Sequence, residues 1–304
     1  MISAPGRGQD LVATAGSWAR EPGASRFTPR FRAVPGAIYT LLGREGSDDE
    51  WRELARVVVP GADPERRAVV ESIDPGAPEV PANLLRFAVT FSVPMEDGSA
   101  AGHLHLLDES GAELPGTVLE TPELWSRDRR RLTVLLEPGR VKRGLQPNAQ
   151  AGAPMHDGGE VTLVVDSAVR DADGAFLVEE ARRTFRVGPA VRARVDPARW
   201  QVAWPEEASG RLIIAFDRPL DRALVQRCLR VIDADGGRVT GAVSLDPETT
   251  VWTFTPAPGA FVGELHVDTR LEDLAGNSVR RVFDRDLDSP ADATLDAPFV
   301  VLRR

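Results

Sequence analysis

Among 304 residues the chain has one cysteine, Cys228, one lysine, Lys142, one tyrosine and four histidines. A lone cysteine excludes an internal disulfide and a cysteine-rich zinc site. Lys142 stands between Val141 and Arg143 rather than in Gly-Lys-Ser/Thr, which excludes a P-loop. No run of eighteen apolar residues is present, so no helix is expected to span a membrane. A basic excess is also missing: the formal charge is −9, which argues against a general nucleic-acid binder. The patterns GxSxG, HExxH and GxGxxG do not occur, and so few His, Cys and Lys residues leave nucleophilic or metal chemistry short of actors. Neither an enzyme nor a bound cofactor is expected.

What is present is repetition. Leu85, Phe87, Val89 and Phe91 alternate apolar residues at period two, as a half-buried strand requires, and so do Leu212, Ile214 and Phe216. Setting Phe91 on Phe216 aligns Pro94 with Pro219, the tetrapeptide DESG at 108–111 with DADG at 233–236, and Gly116 with Gly241, at a constant offset of 125 residues. Further on, LTVLLEPG from Leu132 matches WTFTPAPG from Trp252, and VVDSAVRDADG from Val164 matches HVDTRLEDLAG from His266. Gly116 to Gly139 is 23 residues against 18 between Gly241 and Gly259, and Gly139 to Asp166 is 27 against 9 between Gly259 and Asp268. The first copy therefore carries insertions of 5 and 18 residues, which belong in loops.

Short strands separated by Gly, Pro and Asp predict an all-β chain of tandem antiparallel β-sandwiches, with helix signals at Trp51–Val58 and Asp221–Val225 too short to matter. The expected division is a disordered tail at 1–24, a partial β unit at 25–72, a first sandwich with loop insertions at 73–189, a second at 190–288, and a C-terminal tail with a short strand at 289–304. The partial unit rests on FTPRFRAVPGAIYTLL from Phe27, which matches the later strands of the second copy from Phe254. Half a sandwich leaves an apolar face uncovered, and PFVVLRR at the C-terminus is expected to complete it. No apolar signal-peptide core precedes the half unit, which leads to the expectation that further residues lie upstream.

The strand endings FSVPM and FDRPL, the hairpins at DESG and DADG, the strand WTFTP and the closing DLAGN together resemble the bacterial immunoglobulin-like domains first described in S-layer proteins. The resemblance covers about 75–189 and 208–288, with a fragment near 27–60. It implies small antiparallel sandwiches in an exported or cell-surface bacterial protein, acting as spacer, scaffold or binding module, with no shared catalytic residue. The expected role is thus a non-enzymatic structural or interaction module of the cell envelope. An extracytoplasmic location and an unidentified surface protein or glycan as partner follow from the same reading. A periplasmic ligand or copper carrier is the alternative, and an enzyme of another type the third reading.

Three groups of residues are candidate sites. His103 and His105, two apart on a strand, share a face and with Met95 form a soft-metal set, although their counterparts in the second copy are Cys228 and Arg230. Trp125, Arg130, Arg131, Arg140, Lys142 and Arg143 fall around the insertions, where guanidinium forks suit carboxylate or phosphate and an exposed Trp offers a stacking plate. The four Asp-x-x-Gly tetrapeptides at Asp108, Asp171, Asp233 and Asp273 read as tight turns rather than calcium loops, because no complete ligand set follows them. Trp200 and Trp204 are expected to clamp the two copies together, and Trp252 to lie in a core.

Overall fold

The strands of the two cores form where the period-two pattern places them, and several pair with partners distant in sequence. The computed structural model describes residues 2–4, 12–31, 33–34, 36–44, 50–59, 67–207, 210–284 and 295–304. Two compact units divide the chain, one of Met1–Arg67 with Asp171–Ala175, the other of Ala68–Arg170 with Phe176–Arg304. Among the described residues no helix is long and apolar enough to cross a membrane.

The N-terminal unit holds β1 (Ile2–Ala4), β2 (Val12–Ala13), β3 (Gly16–Glu21), β4 (Ala24–Pro29), β5 (Ile38–Gly43) and β6 (Arg52–Val58). One sheet runs β2-β1-β5-β6, and β3 and β4 make a separate hairpin. The expected tail at 1–24 thus contributes three strands. Small residues gave it no local pattern, yet Ile2 and Ser3 pair with Leu41 and Thr40, and pairing of that range overrides local composition. Trp51–Val58, read as a weak helix, supplies β6, whose Val57 and Val58 suit a pleated strand.

The larger unit carries two sandwiches. The first has β7 (Val70–Asp74), β8 (Glu79–Pro81), β9 (Arg86–Phe91), β10 (Leu104–Asp108), β11 (Leu124–Trp125), β12 (Arg131–Leu135), β13 (Glu160–Val165) and β14 (Ala181–Gly188). Its sheets run β10-β13-β14-β8 and β11-β12-β9-β7. Phe87, Val89 and Phe91 point inward from β9 and meet Leu132 and Val134 of β12, while Leu106, Leu163 and Phe185 come from the facing sheet. Phe87 and Phe185 close the gap between the sheets at 5.3 Å between ring centroids. The strand β7 straddles the boundary expected at 72/73 between the partial unit and the first sandwich, but its Ser72 and Ile73 pair with Thr90 and Val89, so the whole strand is an edge of this sandwich. The stretch between β12 and β13, which carries the 18-residue insertion, holds the short helices α1 (Pro138–Val141) and α2 (Gln146–Ala151).

In the second sandwich β15 (Gln201–Ala203), β16 (Leu212–Ala215), β18 (Gly241–Leu245) and β19 (Val251–Pro256) form one sheet, and β17 (Leu229–Ile232), β20 (Glu264–Asp268) and β21 (Phe299–Arg303) the other. The helix α3 (Arg222–Cys228) precedes β17 and is capped by the Asp221 carboxylate, which accepts from Leu224 N–H. Trp252 and Phe254 stack 5.8 Å apart in this core. The C-terminal PFVVLRR forms β21, which pairs with β20 through Val267 and Val300 rather than completing the N-terminal unit. It occupies the place that β14 takes beside β13, where Val165 meets Ala181. Residues 285–294, which precede it, lie outside the described residues.

Hydrogen bonds fall at matched positions of the two sandwiches. Phe91 N–H donates to Arg130 O and Phe216 N–H to Thr250 O, both at 2.8 Å, while Met95 N–H donates to Arg129 O and Leu220 N–H to Thr249 O. Arg129 and Thr249 both have positive φ, 55° and 59°, at the same point of the hairpin before β12 and β19. The four Asp-x-x-Gly turns also share one geometry. In each, the Asp Oδ1 accepts backbone N–H groups two and four residues on, and Gly111, Gly174, Gly236 and Gly276 turn the chain at φ of 82°, 86°, 83° and 78°. In each it is Oδ1 that the turn occupies.

Candidate functional site at the junction of the two sandwiches

The second sandwich is joined to the end of the first through a polar seam, and the seam follows from a difference of charge at matched positions of the two sandwiches. In the first sandwich Glu96 and Arg170 sit on adjacent segments, tied by Glu96 N–H to Arg170 O, and their side chains pair at 2.6 Å. The matched residues are Asp221 and Glu272, tied by the same backbone bond, Asp221 N–H to Glu272 O. Two carboxylates cannot pair with one another. Instead both take Arg86 of the first sandwich, Asp221 at 2.8 Å from Nε and Glu272 at 2.6 Å from Nη2. Side-chain exposures of 22%, 15% and 27% show that all three are largely withdrawn from water, where charge-assisted bonds are stronger than at a surface.

Neighbouring contacts fix the seam further. Leu85 N–H donates to Leu274 O, and Asn83 makes two bonds to the backbone of Val191 in the connecting segment, whose carbonyl also accepts from Asn277. A Cβ on Gly76 would fall 1.6 Å from Pro247 O, so the two backbones touch where only glycine fits. Asp284, fully buried, receives Arg192 Nε at 2.8 Å and the backbone N–H of Arg143 at 3.0 Å. Beside it Lys142 Nζ lies 4.0 Å from the centre of the Phe283 ring.

A cleft of about 400 Å³ opens next to this seam. Its floor is the outer side of β9 and β12 with Arg86, Ala88, Arg131 and Thr133, and its far wall is α3 with Arg222 and Arg227. A second cavity, of about 480 Å³, is lined by Pro78, Val80, Pro189, Pro219, Arg218 and Asp273. At its base the buried Asp273 bonds Asn277 Nδ2 at 3.1 Å and Arg218 Nη1 at 3.2 Å. Burial pushes its carboxyl up to about 6, against the lowering by Asn277, Arg218 and two backbone N–H groups. The Cys228 thiol, buried at the C-terminal end of α3, is pushed up to about 11, first by burial and then by the Asp268 charge.

The residues singled out by sequence have different partners. Trp125 leans on the first core 5.7 Å from Phe91 and donates its indole N–H to Glu123, so it is a packing residue rather than an exposed plate. Arg131 pairs with Asp74 at 3.0 Å and lines the junction cleft. Arg140 is spent on the carbonyls of Gly152, Pro115 and Ala151, which pin the insertion, while Lys142 and Arg143 serve the seam. Arg130 stays at the hairpin, its N–H held by Asp128.

Met95 is wholly buried in the first core, whereas His105 Nδ1 meets Glu113 at 2.9 Å and His103 approaches Asp166 at 3.8 Å. The three therefore form no common metal set. Among the described residues no three His, Cys, Asp or Glu side chains are placed to hold a metal. Trp200 and Trp204 belong to the second core, Trp200 edge-on to Phe216 at 4.9 Å, rather than clamping the two sandwiches together. That task falls to Arg86, Asp221, Glu272 and Asp284. A single charge reversal between matched positions, Arg170 against Glu272, was the visible sign of it.

No protein-family model matches the chain, and no curated protein matches it. Among solved structures the N-terminal part of the bacterial S-layer protein SbsC is similar at 14% identity and a TM-score of 0.28, over 68% of this chain and 41% of that one. Domains 1–6 of SbsC give 14% and 0.30 over 78% and 26%. Native alpha-2-macroglobulin from Escherichia coli spanning domains MG0-NIE-MG1 gives 9% and 0.27 over 78% and 71%. The chain spans less than half the length of the S-layer structures it matches. The fold is that of all-β sandwiches.

Proposed function

We propose that this chain is a non-enzymatic structural or interaction module of the bacterial cell envelope, in which a duplicated immunoglobulin-like building block acts as a stiff spacer. The observation that carries the reading is the grip of Asp221 and Glu272 on Arg86. Domains joined by a bare linker move independently, whereas a seam with desolvated charge pairs and backbone contact at Gly76 holds one angle. Loops at the far ends of such a rod are then presented at a set separation. The sequence features shared with bacterial immunoglobulin-like domains supply the envelope location.

Spin labels placed one on each sandwich test the mechanical part, read as a distance distribution. A single narrow distance is expected, and a broad one spanning tens of ångströms rejects the spacer. Fractionation of the source bacterium tests the location. The envelope fraction is expected to hold the protein, and recovery in the cytosol alone rejects that part.

A further inference from the structure

The cleft beside the seam has its own unspent charge. Five arginines and four carboxylates line it, in a chain whose formal charge is −9. Three of the carboxylates are already engaged, Asp74 by Arg131 and Asp221 and Glu272 by Arg86. On the opposite wall Arg222 bonds the Asp246 carbonyl at 2.8 Å and Arg227 the Ala223 carbonyl at 3.2 Å. Both partners are neutral, so neither guanidinium charge is cancelled by a carboxylate among the described residues, and both residues line the cleft. A fork of that kind matches an oxyanion.

The floor leaves room for a ligand. Ala88 and Thr133 point to the same side as Arg86 and Arg131, because strand residues two apart share a face, and a larger residue at either place would fill the space. Cavities of a few hundred Å³ between domains are common places for small ligands. At the rim Glu248 is exposed and has no partner among the described residues, an acceptor suited to hydroxyl groups. The only aromatic residue in the lining, Phe87, is buried in the first core and offers no open ring for stacking a base.

We propose that this cleft binds an acidic sugar, its carboxylate taken by Arg222 and Arg227 and its hydroxyls by Glu248. The proposal goes beyond the spacer reading and does not depend on it, since the distance measurement is made without ligand. Titration calorimetry of the full chain with trigalacturonate, maltotriose and inorganic phosphate at low ionic strength tests it. Binding of trigalacturonate is expected at millimolar or tighter affinity, weakening as salt is raised, with no binding of maltotriose.

The double variant Arg222→Gln/Arg227→Gln should weaken that binding at least ten-fold. Because Arg222 also ties a hairpin, Arg227→Glu on the exposed turn of α3 serves as a second variant and should do the same with an unchanged melting temperature. Equal binding by wild type and Arg227→Glu overturns the site. No binding of trigalacturonate, or phosphate bound as tightly, overturns the acidic sugar as its ligand.

Discussion

Arg86 and Asp221, 135 positions apart, meet at 2.8 Å across the seam, and the reason lies in residue 272. Where the first sandwich has Arg170 to neutralise Glu96, the second has Glu272, and its acid pair turns outward to the neighbour. Restoring the first arrangement should therefore undo the seam. In Glu272→Arg the new guanidinium is expected to pair with Asp221 and repel Arg86, opening the junction while each core stays intact. The spin-label distance distribution should broaden, with near-native circular dichroism. Arg86→Ala leaves two facing carboxylates without a cation and should cost about 2–4 kcal/mol in urea denaturation. A distribution as narrow as wild type in Glu272→Arg means that other contacts hold the seam.

The hairpins before β12 and β19 each place a non-glycine residue at positive φ, where a side chain costs about 1–2 kcal/mol. Arg129, half exposed, is the cleaner of the two to change, because Thr249 is buried and accepts a long bond from Arg222. Arg129→Gly should raise stability by about 1 kcal/mol, the relief of strain being partly offset by a freer unfolded chain. A lower melting temperature means that the Arg129 side chain contributes packing worth more than the strain.

The strands themselves were legible because Phe87, Val89 and Phe91, or Leu212 and Ile214, have one buried face and so alternate. The Asp-x-x-Gly turns were legible because one chemistry fixes them. β1 and β2 were not, since a strand that owes its place to a distant partner has no pattern of its own. Nor was the owner of β21, because PFVVLRR fits any open sheet edge, and the edge beside β20 lies 31 residues upstream of Phe299 at Asp268. The site was half legible. Arg131 was singled out and does line the cleft, but its neighbours there, Arg86, Arg222 and Arg227, come from segments more than 40 residues away.

Cys228 faces the second core, and its thiol is held far above the ordinary range by burial and by Asp268. Only the thiolate reacts with alkylating and disulfide reagents. At pH 8 the native protein should thus resist Ellman's reagent for hours and react within minutes in 6 M guanidinium. Fast reaction without denaturant means that α3 opens readily and that the core beneath it is less closed than its packing indicates.

Asp273 gives the junction a pH dependence whose sign can be worked out. Its carboxyl is pushed up to about 6 from an ordinary value of 3.8, so the folded state binds a proton that the unfolded state has released between those limits. The stability it contributes is full below about pH 4 and is lost as the pH rises through 6. A shift of about two units corresponds to about 3 kcal/mol. Asp273→Asn keeps an oxygen to accept the Ala275 and Asn277 N–H groups but cannot titrate. The variant should gain on wild type as urea denaturation is repeated from pH 4.5 to 7.5, most of the change falling between pH 5 and 7. Carboxylates with lowered values, such as Asp268 beside Arg270, destabilise both proteins alike as the pH falls, so the difference between the two isolates residue 273. A difference that stays flat across the range means that Arg218 and the turn N–H groups hold Asp273 ionised despite its burial.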